Sequence, residues 1–277
     1  MKLGLVLGGG GARGAAHIGV LLELERLGLR PDLVVGTSIG GLLGALLTAG
    51  LSANEMLTFF QEFNLEQLYR PADLRVPALV SNRRVEKRLE KSIGRPTFAD
   101  LKVPLAVIAT DLVSRQEVVL QEGDVVTAVL ATIAIPVALP PVEMGDMILV
   151  DGGVKNNTPF DVARQLGAEY VLAIDLTNTD PYAPIQRRYG RTGPLTKAAE
   201  MIQRNELWWV LAATLDVITT QNMEKNLAEN PPDLLLRPEI GAIGLFDFHR
   251  WQEGVSAGRT AVWQVEHLLA ELVNRDP

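Results

Sequence analysis

Apolar runs of four to six residues alternate with longer helical stretches along the first fifty positions. Residues 3–7 read LGLVL and residues 32–36 read DLVVG; runs this short, bounded by glycine, predict buried parallel strands. Ala15 to Leu27 and Ile39 to Ala49 predict helices, with Gly28 and Gly50 placed where C-caps belong. This βαβα opening predicts an α/β fold with a mostly parallel sheet.

From Leu51 to about Asp100 the pattern turns helical and polar. Ser52 and Glu55 have capping-box spacing and NRRVEKRLEK is a charged helical run, so residues 51–100 are expected to form a helical cap or a segment flanking the sheet. Strand patterns resume in PLAVIAT, EVVL and MILVD. Thr158-Pro159 then predicts a helix start, with threonine as cap and proline at the first helical position; the helix should end before Gly167 and lead into the strand YVLAIDL. Residues 179–197, which include IQRRYGRTGP, are expected to be a mobile loop whose arginines read either as anion contacts or as a solvated surface. A long helix to about Glu229 follows, with Leu207, Leu211, Leu215 and Ile218 on one side. Trp208 and Trp209 read as core or interface anchors, and a short strand near LLLRP and a C-terminal helix end the chain.

The 277 residues are 47% hydrophobic and 21% charged, the balance of a globular chain with a large core, and no linker divides them, so a single domain over 1–277 is expected. A net charge of -7 argues against a general nucleic-acid binder. Without cysteine there is no disulfide framework and no thiolate metal site, which favours the cytoplasm. The start MKLGLVLGGG reads as a first strand rather than a leader, because its apolar stretch runs straight into glycines with no cleavage site. GGLLGALLTAG and LWWVLAATL are shorter than the roughly 20 residues a bilayer span needs; peripheral contact with a membrane remains compatible with them.

Three short motifs carry candidate chemistry. Gly36-Thr37-Ser38-Ile39-Gly40 stands between a strand and a helix, the setting a GxSxG nucleophile elbow requires, and the helix N-terminus favours negative charge developing near Ser38. The bland alternative is a glycine-rich structural turn. Gly8-Gly9-Gly10-Gly11-Ala12-Arg13-Gly14 follows the first strand, and adjacent glycines are costly to order unless their N–H groups cradle an anion. Gly9, Gly11 and Gly14 also satisfy GxGxxG, but a dinucleotide site needs an acidic residue at the end of the second strand, where the elbow stands instead. No GxxxxGK[ST] occurs. An oxyanion hole built from the N–H groups of Gly9, Gly10 and Gly11 is the better use, with Arg13 bracing the loop in preference to binding a phosphate. Asp151-Gly152-Gly153 ends the strand MILV and offers a carboxylate at a strand's C-terminal end as base for Ser38; taken alone, DGG is a turn.

The histidines are His17, His249 and His267. His17 sits among Ala16, Ile18 and Val20 and reads as a packed or hydrogen-bonded core residue. His249 and His267 follow Asp151, so the Ser, Asp, His order of an α/β-hydrolase triad is formally available. Neither lies in a convincing strand-end loop, and an elbow at position 38 is early for that fold.

Taken together, GGGGARG, GTSIG and DGG in this order resemble the bacterial branch of the patatin-like phospholipase family. The similarity extends through VLGGGGARGAAHIGVLLELE, ATIAIPVALPPV, LVDGGVKNNTPFDVARQLGAEYVLAIDL and the region before PPDLLLRPEIG, nearly the whole chain. It implies a three-layer α/β/α fold and a Ser38–Asp151 dyad with Gly9, Gly10 and Gly11 as oxyanion donors, supported by Gly36, Gly40, Arg13, Gly14, Gly152 and Gly153. It also implies two-step acyl transfer on lipid esters of the phospholipase A or lysophospholipase kind, with no metal and no organic cofactor. Two departures bear on pocket shape and substrate size: Thr132 stands where family members often have serine, and Val137 where they often have glycine. A carboxylesterase or thioesterase acting on soluble acyl compounds would use the same centre, and a weakly catalytic acyl-binding regulatory protein would keep the pocket without needing an elbow. An unperturbed aspartate titrates near roughly 3.9 and a histidine near roughly 6.5, so a pH–rate profile without an essential histidine limb is expected.

Overall fold

In the computed structural model, which describes residues 1–62, 82–177 and 206–273, the apolar runs become the centre of an eight-stranded sheet. Strand β1 (Leu3–Leu7) lies between β2 (Leu33–Thr37) and β7 (Tyr170–Ile174), and β2 borders β3 (Leu105–Asp111). These pairs are parallel, as is the outer pair of β7 with β8 (Leu234–Leu236). Three further strands run antiparallel to their neighbours: β4 (Glu117–Leu120) and β6 (Met147–Asp151) on β3, and β5 (Val142–Met144) on β6.

Both faces of the central strands are covered, which is why they read as unbroken apolar runs rather than alternating ones. Leu5, Leu7, Val34, Leu105 and Val107 enter one core, which includes residues of α1 (Ala15–Leu27) and α2 (Ile39–Ala49). Val6, Val35, Ala106, Ile108 and Val171 enter the other, with Phe160 and Met223. The result is the three-layer α/β/α arrangement expected. Gly28 and Gly50 cap α1 and α2 in the left-handed conformation, with φ of 74° and 100°. Helix α3 (Ala53–Gln61) begins with the Ser52–Glu55 capping box, and α4 (Asn82–Ile93) buries Val85 and Leu89. Both pack against helices that flank the sheet. The expected loop at 179–197, residues 63–81 of the expected helical segment, and the side chains of Leu207, Trp208 and Trp209 lie outside the described residues.

Two local expectations are corrected, and one helix is added to them. Val125–Thr132 forms helix α5, capped by Asp124, whose side chain accepts from the Thr127 N–H. Pro159 is the cap of α6 (Phe160–Gln165) rather than its first residue. Helix α7 (Glu206–Glu229) follows, and the C-terminal helical run is two helices, α8 (Trp251–Gln264) and α9 (Glu266–Val273), broken at Val265. Among the described residues no helix is long and apolar enough to cross a membrane.

One register decides where the site lies. Residues 107–108 of β3 pair with both β2 and β4, and 109–110 with both β4 and β6, so β2 and β6 occupy the same side of β3. Thr37 pairs with Ile108 and Asp151 with the next residue, Ala109. The two strands run toward each other and meet end to end. The carboxylate reaches the site on an antiparallel strand, and the C-terminus of β6 meets that of β2 head-on.

Helices α1 and α8 pack backbone to backbone. A Cβ added at Gly258 would lie 2.0 Å from the Ala16 carbonyl oxygen, and one at Gly19 2.1 Å from that of Val255. Glu23, 1% exposed, fastens the same pair: burial pushes its carboxyl up, but donors from Arg26, Arg259 and Trp263 outweigh this and hold it down to about 2. We predict that Gly258→Ala destabilises the protein by about 1–3 kcal/mol through overpacking. Urea denaturation measures this, and an unchanged midpoint would mean that the helices do not approach so closely.

Candidate active site

Ser38 occupies the turn between β2 and α2 with φ 55° and ψ −125°, a strained conformation for a residue bearing a side chain. The sequence allows it because Gly36 and Gly40 lie against each other. A Cβ at Gly36 would sit 2.6 Å from the Gly40 carbonyl carbon, and one at Gly40 2.0 Å from the Leu7 carbonyl oxygen. The Ser38 N–H donates to Thr132 Oγ1 at 2.8 Å, and that hydroxyl donates in turn to the Ile108 carbonyl. Thr132 is fully buried, so its departure from serine touches the backbone of the elbow.

Asp151, delivered by β6, receives the Ser38 hydroxyl. Oγ donates to Oδ2 at 2.5 Å, while Oδ1 accepts from the Gly153 N–H at 2.8 Å. Ser38 is 5% and Asp151 6% exposed. Burial, opposed by those two hydrogen bonds, raises the Asp151 pKa from 3.8 to about 6. The group is therefore ionised at neutral pH and basic enough to take a hydroxyl proton in a transition state.

The glycine loop comes to the same place. A Cβ on Gly9 would fall 3.3 Å from Ser38 Cβ and 2.4 Å from Asn157 Oδ1. The Gly9 N–H, expected as an oxyanion donor, is committed to the Asn157 carbonyl at 2.9 Å, a correction that leaves Gly10 and Gly11 with no N–H partner among the described residues. Gly9 and Gly10 line a small cavity of about 30 Å³ between the loop and α7. A larger cavity, about 530 Å³, lies by Glu239, Glu253 and Gln264 and touches none of the three motifs.

Arg13, read from the sequence as a brace for the loop in preference to a phosphate ligand, is bonded to three other segments. It is 2% exposed, with Nε donating to the Ile243 carbonyl, Nη1 to that of Leu176 and Nη2 to both Asp216 carboxylate oxygens at 2.9 and 3.0 Å. Gly14 packs on Ile39, and Gly152 on the Ile108 carbonyl. His17 is a fully buried, hydrogen-bonded core residue: Nε2 donates to the Gly8 carbonyl at 2.7 Å, and burial, against that bond, lowers its pKa to about 4. His249 lies in a short turn and His267 in α9; among the described residues neither is hydrogen-bonded to Ser38 or Asp151. No cluster of His, Asp or Glu among the described residues is placed to hold a metal ion.

The family model for patatin-like phospholipases matches residues 5–164, more than half of the chain and all three motifs. The chain belongs to the patatin-like phospholipase family. An uncharacterized NTE family protein of Mycobacterium tuberculosis is 30% identical over 270 residues, covering 94% of this chain and 46% of the relative. The human patatin-like phospholipase domain-containing protein 6 is 35% identical over 185 residues, 64% of this chain and 14% of its own length. The chain thus spans less than half the length of these curated relatives. VipD from Legionella pneumophila, at TM-score 0.53 and 13% identity over 95% of this chain and 67% of its own, shares the fold.

Two residues at this patatin-like site lie outside the three motifs. Asn157 is bonded to Gly9 through its main-chain oxygen and, at 3.4 Å, its side-chain nitrogen; its only signal was its place six residues after Asp151. Asp216 lies in α7, more than 200 residues from Arg13, and carried no local signal.

A buried carboxylate with a raised pKa costs stability when it ionises. The folded value, about 6, lies above the ordinary 3.8, so the stability Asp151 lends is complete below pH 3.8 and is lost as pH rises through 6. The rise is worth about 3 kcal/mol. We predict that Asp151→Asn gains on wild type by about that amount between pH 3 and pH 8 in urea unfolding; a difference that stays flat with pH would contradict this electrostatic account.

Proposed function

We propose that this chain is a serine acyl hydrolase that cleaves carboxylic esters of lipids through a Ser38–Asp151 dyad. The observation that carries the reading is the 2.5 Å hydrogen bond from Ser38 Oγ to a buried carboxylate whose pKa stands near 6. Family membership and the strained elbow point the same way.

Ser38 Oγ attacks the ester carbonyl carbon as its proton passes to Asp151 Oδ2. The carbonyl oxygen becomes an oxyanion received at the glycine loop, with the Gly10 N–H as first donor and Gly11 beside it. Collapse expels the alcohol, which takes the proton from Asp151, and leaves an ester on Ser38. A water then gives its proton to Asp151 and attacks that ester, and the second collapse returns the proton to Ser38 and frees the carboxylic acid. Each proton taken by Asp151 is given back, so the cycle closes on these two residues.

The lipid is the proposed substrate because the family's name and the curated relatives point to it; a soluble ester or thioester would meet the same atoms. The absence of cysteine fits work in the cytoplasm, at the surface of a bilayer or micelle.

We predict that a fluorophosphonate labels wild type on Ser38, fails on Ser38→Ala, and labels Asp151→Asn slower by at least about a thousandfold. Equal labelling of wild type and Asp151→Asn would remove Asp151 from the mechanism. We further predict that kcat/KM falls as pH drops through about 6, in wild type and equally in His249→Ala and His267→Ala. A limb lost with either histidine would assign it elsewhere. Turnover of phospholipid vesicles beside p-nitrophenyl butyrate tests the substrate class: hydrolysis of the soluble ester alone would refute the lipid assignment.

A further inference from the structure

Helix α7 presents a polar face to the candidate site. Asp216, Thr219, Asn222 and Asn226 recur at spacings of three and four, which places them on one side of the helix. Asp216 takes the Arg13 guanidinium. A Cβ on Gly153 would lie 3.4 Å from the Thr219 methyl, and Asn222 Nδ2 donates to the Val154 carbonyl at 2.9 Å. Asn226 Nδ2 reaches the Thr158 carbonyl at 3.2 Å and Asp161 Oδ1 at 2.9 Å. One helix therefore grips the glycine loop at one point and the segment after Asp151 at several.

The grip on the glycine loop is made through a buried cation. Arg13 has solvent at only 2% of its surface, so its charge is balanced by Asp216, itself 12% exposed, and Nε and Nη1 donate to main-chain carbonyls of two other segments. Planar, multiply bonded guanidinium is the arrangement that fixes direction as well as distance. Arg13 stands one residue beyond Gly11 in the 3-10 turn Gly11–Gly14 that Gly10 caps, and its own N–H returns to the Gly10 carbonyl at 3.1 Å. A shift of the guanidinium moves the peptide units that carry the proposed oxyanion donors.

We propose that Asp216 is a positioning residue for acyl transfer: acting through Arg13, it sets the Gly10–Gly11 peptide units over Ser38. The inference rests on the serine hydrolase reading above. Donors that must meet a developing oxyanion contribute to the transition state and little to ground-state binding. Loss of the anchor therefore lowers kcat and spares KM, and Asp151 keeps its environment.

The test uses the full chain and p-nitrophenyl butyrate. Asp216→Asn should lower kcat about ten- to a hundredfold, in line with what a loop misplaced by an ångström costs, with KM within about twofold. The acid limb stays near pH 6, and the rate of fluorophosphonate labelling falls in proportion to kcat. Arg259→Ala, which breaks the ion pair to buried Glu23 between α8 and α1 and touches none of the residues bonded to Arg13 or Asp151, is the control: it lowers the melting temperature and leaves kcat unchanged. Wild-type kcat in a folded Asp216→Asn would overturn the proposal. Should that variant fail to fold, Arg13→Lys decides, since it keeps a charge opposite Asp216 but loses the fork: a fall in kcat at constant KM supports the proposal, and an unchanged kcat ends it. Absence of Ser38-dependent turnover in wild type would instead sink the functional reading, and this inference with it.

Discussion

The head-on meeting of two strands on one side of β3 is the constraint from which the rest of the site follows. Strand β2 carries the elbow to its C-terminus and β6 carries the aspartate to its own, and adjacent rungs of β3 hold them at Ile108 and Ala109. No flexible loop sets the separation of hydroxyl and carboxylate; the ladder of a third strand does. Backbone hydrogen bonds in a sheet buried on both faces are among the last parts of a fold to open, so the pair is held by the most durable element available. Thr132 completes this arrangement by tying the Ser38 N–H to the Ile108 carbonyl, the same rung that aligns Thr37.

Such placement has an electrostatic consequence. Bringing the carboxylate into the sheet strips it of water and lifts its pKa toward neutrality, while the Ser38 hydroxyl and the Gly153 N–H pull it back. The balance gives a carboxylate that is charged at neutral pH and, in the proposed mechanism, basic enough to take the serine proton. A pH limb near 6 would ordinarily be read as histidine, since an unperturbed aspartate titrates near roughly 3.9. Burial moves the aspartate into histidine's range, so the pH profile identifies the base only when the histidine variants are compared.

Much of the frame was legible because local chemistry and global fold agree. LGLVL, PLAVIAT and MILVD are strands, Gly28 and Gly50 end helices, and the Ser52–Glu55 box starts one, all from short-range pattern. VVTAVLAT was not legible as helix α5: it is apolar nearly all round and rich in β-branched residues, so it lacks helical periodicity, and only Asp124 as cap marked it. The motif residues Ser38, Asp151 and Gly9 do gather at one edge. What sequence alone does not contain is direction and partnership across long separations. Nothing in MILVD says that its strand runs antiparallel, nothing near Gly9 says that Asn157 takes its N–H, and nothing near Arg13 points to Asp216.

The most direct measurement of the central claim is the titration of Asp151 itself, followed as the protonated-carboxyl band in infrared difference spectra of wild type against Asp151→Asn. The account predicts a midpoint near pH 6 and, because the Ser38 hydroxyl stabilises the carboxylate, a higher midpoint in Ser38→Ala. A midpoint at the ordinary aspartate value, or one indifferent to the loss of the Ser38 hydroxyl, would show that the two groups do not share a buried hydrogen bond.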